Sequence, residues 1–512
     1  MKWTSAQQKV IDTRNKNVLV SAAAGSGKTA VLVERIISMI TQGENPLDID
    51  HLLVVTFTNA AAAEMRTRIG KAIDEKLRNE PDNTHLQRQM SLLQSAQITT
   101  IHSFCLNVIR NYFYRIDLDP SFKIAEESEI TLMKSDVIAD VLERWYEEGR
   151  EDFHEFIESY SRSKSDEPIE DLILKLYDFS MSNPWPKKWL RDMEEFFSVD
   201  SMEDLTSTIW MKELIQYVGV IVKDLKKINQ RALEICGEAG GPSAYSTALL
   251  SDRDILQGLE EASSYHEYAE IFQGISYARL SNKRDDTVLG WKKDQVKALR
   301  EVVKKGIKDL TNQYFYQAPD EMLKDLMAVR KVMRVLFELT LDFMEEFAKK
   351  KEEKNLIDFN DLEHFSLEIL VEEKDGQLDS PTQAALEISE QFDEILIDEY
   401  QDSNLVQETI LKSISRERLG KPNRFMVGDV KQSIYKFRLA MPELFMDKYN
   451  NYAISDYTED GQGNLYQRID LDRNFRSRKS VLDYVNLIFK QIMTQPVGGI
   501  VYDEAASLKY GE

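Results

Sequence analysis

Apolar residues in the first 122 positions come in short, nearly unbroken runs: "NVLVSA" from Asn17, "HLLVVTFT" from His51 and "AQITTIHSF" from Ala96. Runs that short and that uniformly apolar predict strands buried on both faces, and the text between them has helical spacing. The alternation predicts an α/β unit with a parallel sheet. From about residue 123 to 352 the pattern lengthens into charged, helical text. In "LMAVRKVMRVLFELTLDFMEEF", Leu326, Val329, Val332, Leu336, Leu339, Phe343 and Phe347 recur at helical spacing. "SNPWPKKW" from Ser182 and "GEAGGPSA" from Gly237 interrupt such helices, so an all-α insertion is expected over 123–352. Strand-like runs return in "FDEILIDE", "NRFMVGD" and "LYQRIDLD", while "EEKDGQLDSPTQ" and "TEDGQGN" read as loops.

Two stretches add chemistry to this frame. "AAAGSGKT", comprising Ala22, Ala23, Ala24, Gly25, Ser26, Gly27, Lys28 and Thr29, lies between a predicted strand and a predicted helix. That is the context of a phosphate-binding loop, whose backbone N–H groups and helix N-terminus cradle phosphates. Lys28 is the residue expected on the β- and γ-phosphates of ATP, and Thr29 the one expected to offer its hydroxyl to Mg²⁺. The pattern's first glycine is replaced by Ala22. The run "EILIDE" then delivers Asp398 and Glu399 to the end of a strand. Asp398 suits the metal and Glu399 the attacking water.

Composition pulls the other way. The 512-residue chain carries 65 Lys and Arg against 88 Asp and Glu, a formal charge of −23, which repels nucleic acid at long range. Any DNA contact must therefore come from a local basic or aromatic track. The opening residues lack the apolar core of a signal peptide, and no apolar run reaches membrane length, so no membrane partner is expected. Cys105 and Cys236 have no partner spacing, which points to a reducing cytoplasm.

Six ordered blocks carry a family resemblance: "AAAGSGKT", "VVTFTNAAAAEM", "TIHSFC", "LIDEYQDSN", "MVGDVKQSIYKFR" and "LDRNFRS". Together with "NLIDFNDLE" from Asn355, they resemble UvrD/Rep-like superfamily 1 DNA helicases, and most of all the N-terminal part of the A subunits of AddAB-type helicase–nucleases. The resemblance implies RecA-like motor domains. The expected division is a first domain of 1–122 plus 353–447, the helical insertion 123–352, and the start of a second RecA-like domain at 448–512. It implies that Gln7 reads adenine, that Gln432 senses the γ-phosphate, and that Phe475 and Arg476 reach the nucleotide from the second domain. Single-stranded DNA would run past Thr56, Phe57, Asn59, Thr100, His102, Tyr435, Phe437 and Arg438. Relatives often carry tryptophan where Phe437 stands and arginine where Ala30 stands.

Within the insertion, Lys293, Lys297, Arg300, Lys304 and Lys308 share one helical face beside Val296, Leu299, Val303 and Ile307. This stripe is expected to touch duplex DNA, with an ordinary solvated face as the alternative. The leading expectation is thus an ATP-dependent 3′→5′ DNA motor acting at double-strand breaks, on duplex ends and with an AddB-like second subunit. The remaining motor motifs and a nuclease segment are expected beyond Glu512. The competing expectation is a nucleotide-switched module that binds DNA ends or a partner without efficient turnover. Another kind of P-loop ATPase is disfavoured by "YQD" after the acid pair and by "TFTNAAAAEM".

Overall fold

The computed structural model describes residues 3–43, 45–161, 165–283, 285–374, 377–458, 461–495 and 499–511. Six strands form its main sheet: β1 (Asn17–Ala22), β2 (Leu52–Thr56), β3 (Gln97–Thr100), β4 (Glu394–Ile397), β5 (Arg424–Gly428) and β6 (Tyr466–Leu471). Their order is β6-β1-β5-β4-β2-β3, and every neighbouring pair is parallel. Alternate side chains enter separate cores. Val18, Val20, Val54 and Leu396 pack on one face with Ile36, whereas Leu19, Val55 and Ile397 pack on the other with Phe104. Burial on both faces is why these strands read as continuous apolar runs rather than as alternating ones.

Parallel pairing aligns the carboxyl ends of the strands, so the loops that follow them gather along one edge. The helices α1 (Ser5–Asp12), α2 (Lys28–Thr41), α3 (Asn59–Asn79) and α4 (Ile101–Tyr112) cover this sheet, and α2, α3 and α4 each start just past a strand's carboxyl end. Thr4 and Gln7 close a capping box on α1, Thr58 caps α3, and Thr100 caps α4.

Two expectations need correction here. The division at residue 447 does not separate two sheets, because β6 pairs along its whole length with the strand that leads into the phosphate loop. Its alternation of exposed and buried residues suits the sheet's outer edge, a position that local text does not reveal. The stretch "EEKDGQLDSPTQ" is in part an antiparallel strand pair, Val371–Lys374 against Gln377–Pro381, and residues 375–376 between them lie outside the described residues.

The chain divides into two compact units, one comprising residues 1–148, 164–189 and 339–512, the other 149–163 and 190–338. The helical insertion expected over 123–352 is therefore wider than the second unit. In that unit α5 (Ile209–Gly237) packs against α6 (Ser246–Glu261) and α7 (Gly290–Tyr314). A Cβ at Gly306 would come within 2.7 Å of Leu225, so its absence lets α5 and α7 approach closely. On α7, Val296, Val303 and Ile307 are buried as the spacing predicts, but so is Arg300. Its guanidinium forms a bidentate pair with the buried Asp252 and donates to the Ala278 carbonyl at 2.7 Å. Arg300 is therefore removed from the surface stripe. Lys293, Lys297 and Lys308 remain exposed, and Lys304 is half-buried over the Tyr277 ring. Among the described residues no helix is long and apolar enough to cross a membrane.

Candidate functional site

Between the end of β1 and the start of α2 the backbone enters the left-handed region twice, at Gly25 (φ +70°) and Gly27 (φ +85°). Side chains are strained there, so glycine is required at both positions. Ala22 is the last residue of β1 and fully buried, and no positive φ falls on it. The glycine of the usual pattern is therefore not needed at that place. The free N–H groups of the first turn of α2 open toward the loop, an arrangement suited to anions. Ser26 is buried, and its hydroxyl has no partner.

Gln7 lies beneath this loop and is buried. Its amide nitrogen donates to the Ser26 carbonyl at 3.0 Å, and its oxygen accepts from the Thr4 N–H at 3.0 Å. One amide hydrogen stays available, whereas the carbonyl is held by the capping box. Asn474 holds the loop from the other side. It donates to the Ala24 carbonyl at 2.6 Å and accepts from the N–H groups of Arg476 and Ser477. The Phe475 N–H donates to the Gly25 carbonyl at 2.9 Å. A Cβ at Gly25 would lie 2.9 Å from the Cβ of Arg476, so Phe475 and Arg476 stand at the phosphate loop. They arrive there from the segment that follows β6, in the same compact unit as the loop.

Asp398 and Glu399 leave β4 at the same edge, and the Asp398 N–H continues the sheet by donating to the Val55 carbonyl at 2.9 Å. Burial, reinforced by the neighbouring Glu399 charge, pushes the Asp398 carboxyl up to about 6. Glu399 adopts a left-handed φ of +51°, a strained conformation for a side-chain-bearing residue. That turn aims its carboxylate at Lys28, whose Nζ donates to Oε2 at 2.8 Å. Burial also raises the Asp402 carboxyl to about 6, and its Oδ1 is buried with no partner. Thr29, Asp398, Glu399, Asp402 and Gln432 line one cleft. Carboxylates, among them Asp402 with an unmatched oxygen, and a threonine hydroxyl lining one cleft fit a hard divalent cation, and the glycine turns fit phosphate.

The residues expected on DNA divide into two groups. Phe57 and Tyr435 are in ring contact with centroids 4.7 Å apart, and Tyr435 and Phe437 are 5.9 Å apart. The Arg438 guanidinium lies 5.4 Å from the Tyr435 ring centroid and 5.7 Å from that of Phe437. Phe437 is 75% exposed. Asn59 is exposed at the start of α3, and half-exposed His102 has its Nε2 3.3 Å from Glu363. The other group is buried. Thr56 is buried and donates to the Thr58 carbonyl, while the buried Thr100 caps α4. Both threonine hydroxyls are engaged in shaping their loops, and Thr56 lines a cleft with Phe57, His102, Tyr435 and Arg438.

Sequence reasoning missed the groups that connect these parts. Gln401, Asp402, Asp429 and Asn474 are all buried. Gln401 and Asp402 stand in the quoted "YQD", but a local pattern does not tell a buried amide from an exposed one. Gln432 was expected at the γ-phosphate, and here its amide donates to Asp429 at 2.8 Å.

Comparison with known proteins agrees with this geometry. The family model described as "UvrD/REP helicase N-terminal domain" matches residues 3–453. A protein of Lachnoclostridium phytofermentans, named as the A subunit of an ATP-dependent helicase/nuclease, is 57% identical over 99% of this chain and 37% of its own length. Proteins of the same name from Acetivibrio thermocellus and Clostridium beijerinckii are 46% and 45% identical across the whole chain and 41% of their own lengths. The chain thus spans about two-fifths of the length of these relatives.

Proposed function

The chain belongs to the UvrD/REP helicase family, and from that premise we propose that it is the ATP-driven motor portion of a DNA helicase–nuclease. The observation that carries this reading is the single cleft that joins Thr29, Asp398, Glu399 and Gln432 to Phe57 and Tyr435. Hydrolysis chemistry and a stacking surface thereby share walls, as an ATP-driven strand motor requires.

In the proposed reaction Lys28 leaves Glu399 for the β- and γ-phosphates. This frees the Glu399 carboxylate to accept a proton from the attacking water. The water oxygen bonds to the γ-phosphorus as the bond to the bridging oxygen breaks, and the electrons depart with ADP. Mg²⁺, when bound by Thr29 and Asp398, supplies the charge that offsets the phosphates. Gln7 borders the adenine, its one available amide hydrogen serving as donor. Gln432 and Arg476 approach the γ-phosphate, and Phe475 packs beside the nucleoside.

The strand lies over Phe57, Tyr435, Phe437 and Arg438, with Asn59 and His102 flanking. We further propose 3′→5′ movement, action at double-strand breaks, a cytoplasmic location and pairing with a second subunit. The relatives' shared name and the motif resemblance support these readings. The test is ATP hydrolysis by this chain with and without single-stranded DNA, with Lys28→Ala as the blank. Lys28-dependent turnover that DNA stimulates is expected. ATP binding with turnover at the blank would favour the nucleotide-switched binding module instead, and no ATP binding would end the motor reading.

A further inference from the structure

A chain of hydrogen bonds runs from the phosphate loop to Gln432, three residues short of the aromatic surface, and Gln401 stands at its centre. Lys28 donates to Glu399 Oε2 at 2.8 Å, and the Gln401 amide nitrogen donates to the same oxygen at 2.9 Å. That nitrogen also donates to Asp402 Oδ2 at 3.2 Å, while the Gln401 carbonyl accepts from the Asp429 N–H at 3.0 Å. The Asp429 carboxylate then holds the amide of Gln432 at 2.8 Å and the ammonium of Lys431 at 2.8 Å. Three residues beyond Gln432, the Tyr435 ring meets that of Phe57 at an interplanar angle of 30°.

The orientation of Gln401 is determined by its partners. Rotating the amide by half a turn would set its NH₂ against the Asp429 N–H and its carbonyl against two carboxylates. There is also no slack. Gln401 is 1% exposed, and a Cβ at Gly428 would come within 2.3 Å of its carbonyl oxygen. A displacement of Glu399 therefore reaches the start of the Val430–Gln432 turn through one rigid side chain.

We infer that Gln401 is a positioning residue that couples nucleotide occupancy at Lys28 and Glu399 to the strand-binding surface around Tyr435. This inference rests on the proposed nucleotide and strand sites. When Lys28 turns to phosphate, Glu399 Oε2 loses its cationic partner and keeps the Gln401 amide. The shift passes through the Asp429 N–H to the turn that carries Gln432 and, beyond it, Tyr435. Cut at Gln401, the two sites persist but no longer report to one another.

The test is thermodynamic and needs no turnover. The affinity of a fluorescent single-stranded oligonucleotide is measured with and without a non-hydrolysable ATP analogue, and the affinity of that analogue with and without DNA. In the unaltered chain the analogue should change DNA affinity by a factor of about 5–150, and DNA should change analogue affinity by the same factor. In Gln401→Leu each ligand should still bind alone, and both factors should fall to near 1. Gln401→Glu covers the case in which the leucine variant does not fold. It retains an acceptor for the Asp429 N–H but sets a like charge against Glu399, and the same collapse is expected. A factor unchanged in the folded variant overturns the inference, as does an unaltered chain whose two ligands ignore each other. In both cases Lys28-dependent binding of the analogue leaves the motor reading standing. An unaltered chain that binds no analogue ends both.

Discussion

At the scale of single residues, the nucleotide pocket is held by amides as much as by the charged groups that make its motif recognisable. Asn474 makes three hydrogen bonds that tie Ala24, Arg476 and Ser477 together. Asn474→Ala removes all three and leaves the Ala24 carbonyl without that donor. A loss of about 1–3 kcal/mol is expected, read as a lower melting temperature together with weaker binding of a fluorescent ATP analogue. An unchanged melt with unchanged binding would mean that the segment after β6 does not hold the loop. Phe437 offers the complementary test, since it is the most exposed ring of the aromatic cluster and has few intramolecular contacts to lose. Phe437→Ala should cost about 1–3 kcal/mol of single-strand affinity, measurable by fluorescence anisotropy with only a small change in melting temperature. Lys28, Asp398 and Glu399 were legible in the sequence because their spacing is local to a loop and a strand end. The contact of Lys28 with Glu399 spans 371 positions, and the bond of Gln401 to Asp429 spans 28. Neither pairing leaves a local pattern, so the polar relay stayed hidden.

At the scale of elements, the strands that present these residues are anchored by a buried charge network. Glu408 accepts from the Tyr400 hydroxyl at 2.8 Å, from Arg424 at 2.9 Å and from Lys448 at 2.9 Å. Arg424 also pairs with Glu417. The network ties β5 and the Tyr400 turn after β4 to two helices. Burial alone would raise the Glu408 carboxyl, but Arg424 and Lys448 outweigh it and hold the group at about 2. Because the folded value lies below the ordinary 4.5, this stabilisation is complete above pH 4.5 and drains away as pH falls toward 2. Glu408→Gln leaves buried Lys448 without its carboxylate and Arg424 with Glu417 alone, so a loss of about 3–5 kcal/mol is expected at pH 7. The gap in melting temperature between the two proteins should narrow between pH 4.5 and 2, where the native carboxyl also becomes neutral. A gap constant with pH would contradict the network. The same scale shows what periodicity conveys. Strands buried on both faces were readable from their apolar runs. The edge position of β6 depends on a partner 449 residues away, Asn17 opposite Tyr466, and so was not. Helical spacing placed Arg300 beside four lysines, but it does not resolve a side chain that turns inward to a buried Asp252.

At the scale of the whole molecule, a chain with a formal charge of −23 that binds DNA as proposed must do so through a small patch. Stacking on Phe57, Tyr435 and Phe437 is indifferent to salt, while Arg438 and the exposed Lys436 supply the cations. With two or three phosphates neutralised, the plot of log affinity against log salt for single-stranded DNA should have a shallow slope, about −1.4 to −2.1. A slope near −4 or steeper would require a longer basic track than this patch contains. The exposed lysines of α7 are then separable by experiment, because the expectation for them is duplex rather than a stacked strand. Reversing Lys293, Lys297 and Lys308 to glutamate should leave the single-strand slope unchanged. If that face meets duplex, it should make the duplex slope shallower by about 2.7, the contribution of three phosphates. Arg300→Ala should act differently, lowering the melting temperature by exposing Asp252 to an unpaired burial without a specific effect on either slope. On the proposed motor reading, an acidic chain with a stacking track can release and regrip its strand with little electrostatic drag, which would suit movement along DNA rather than residence on it.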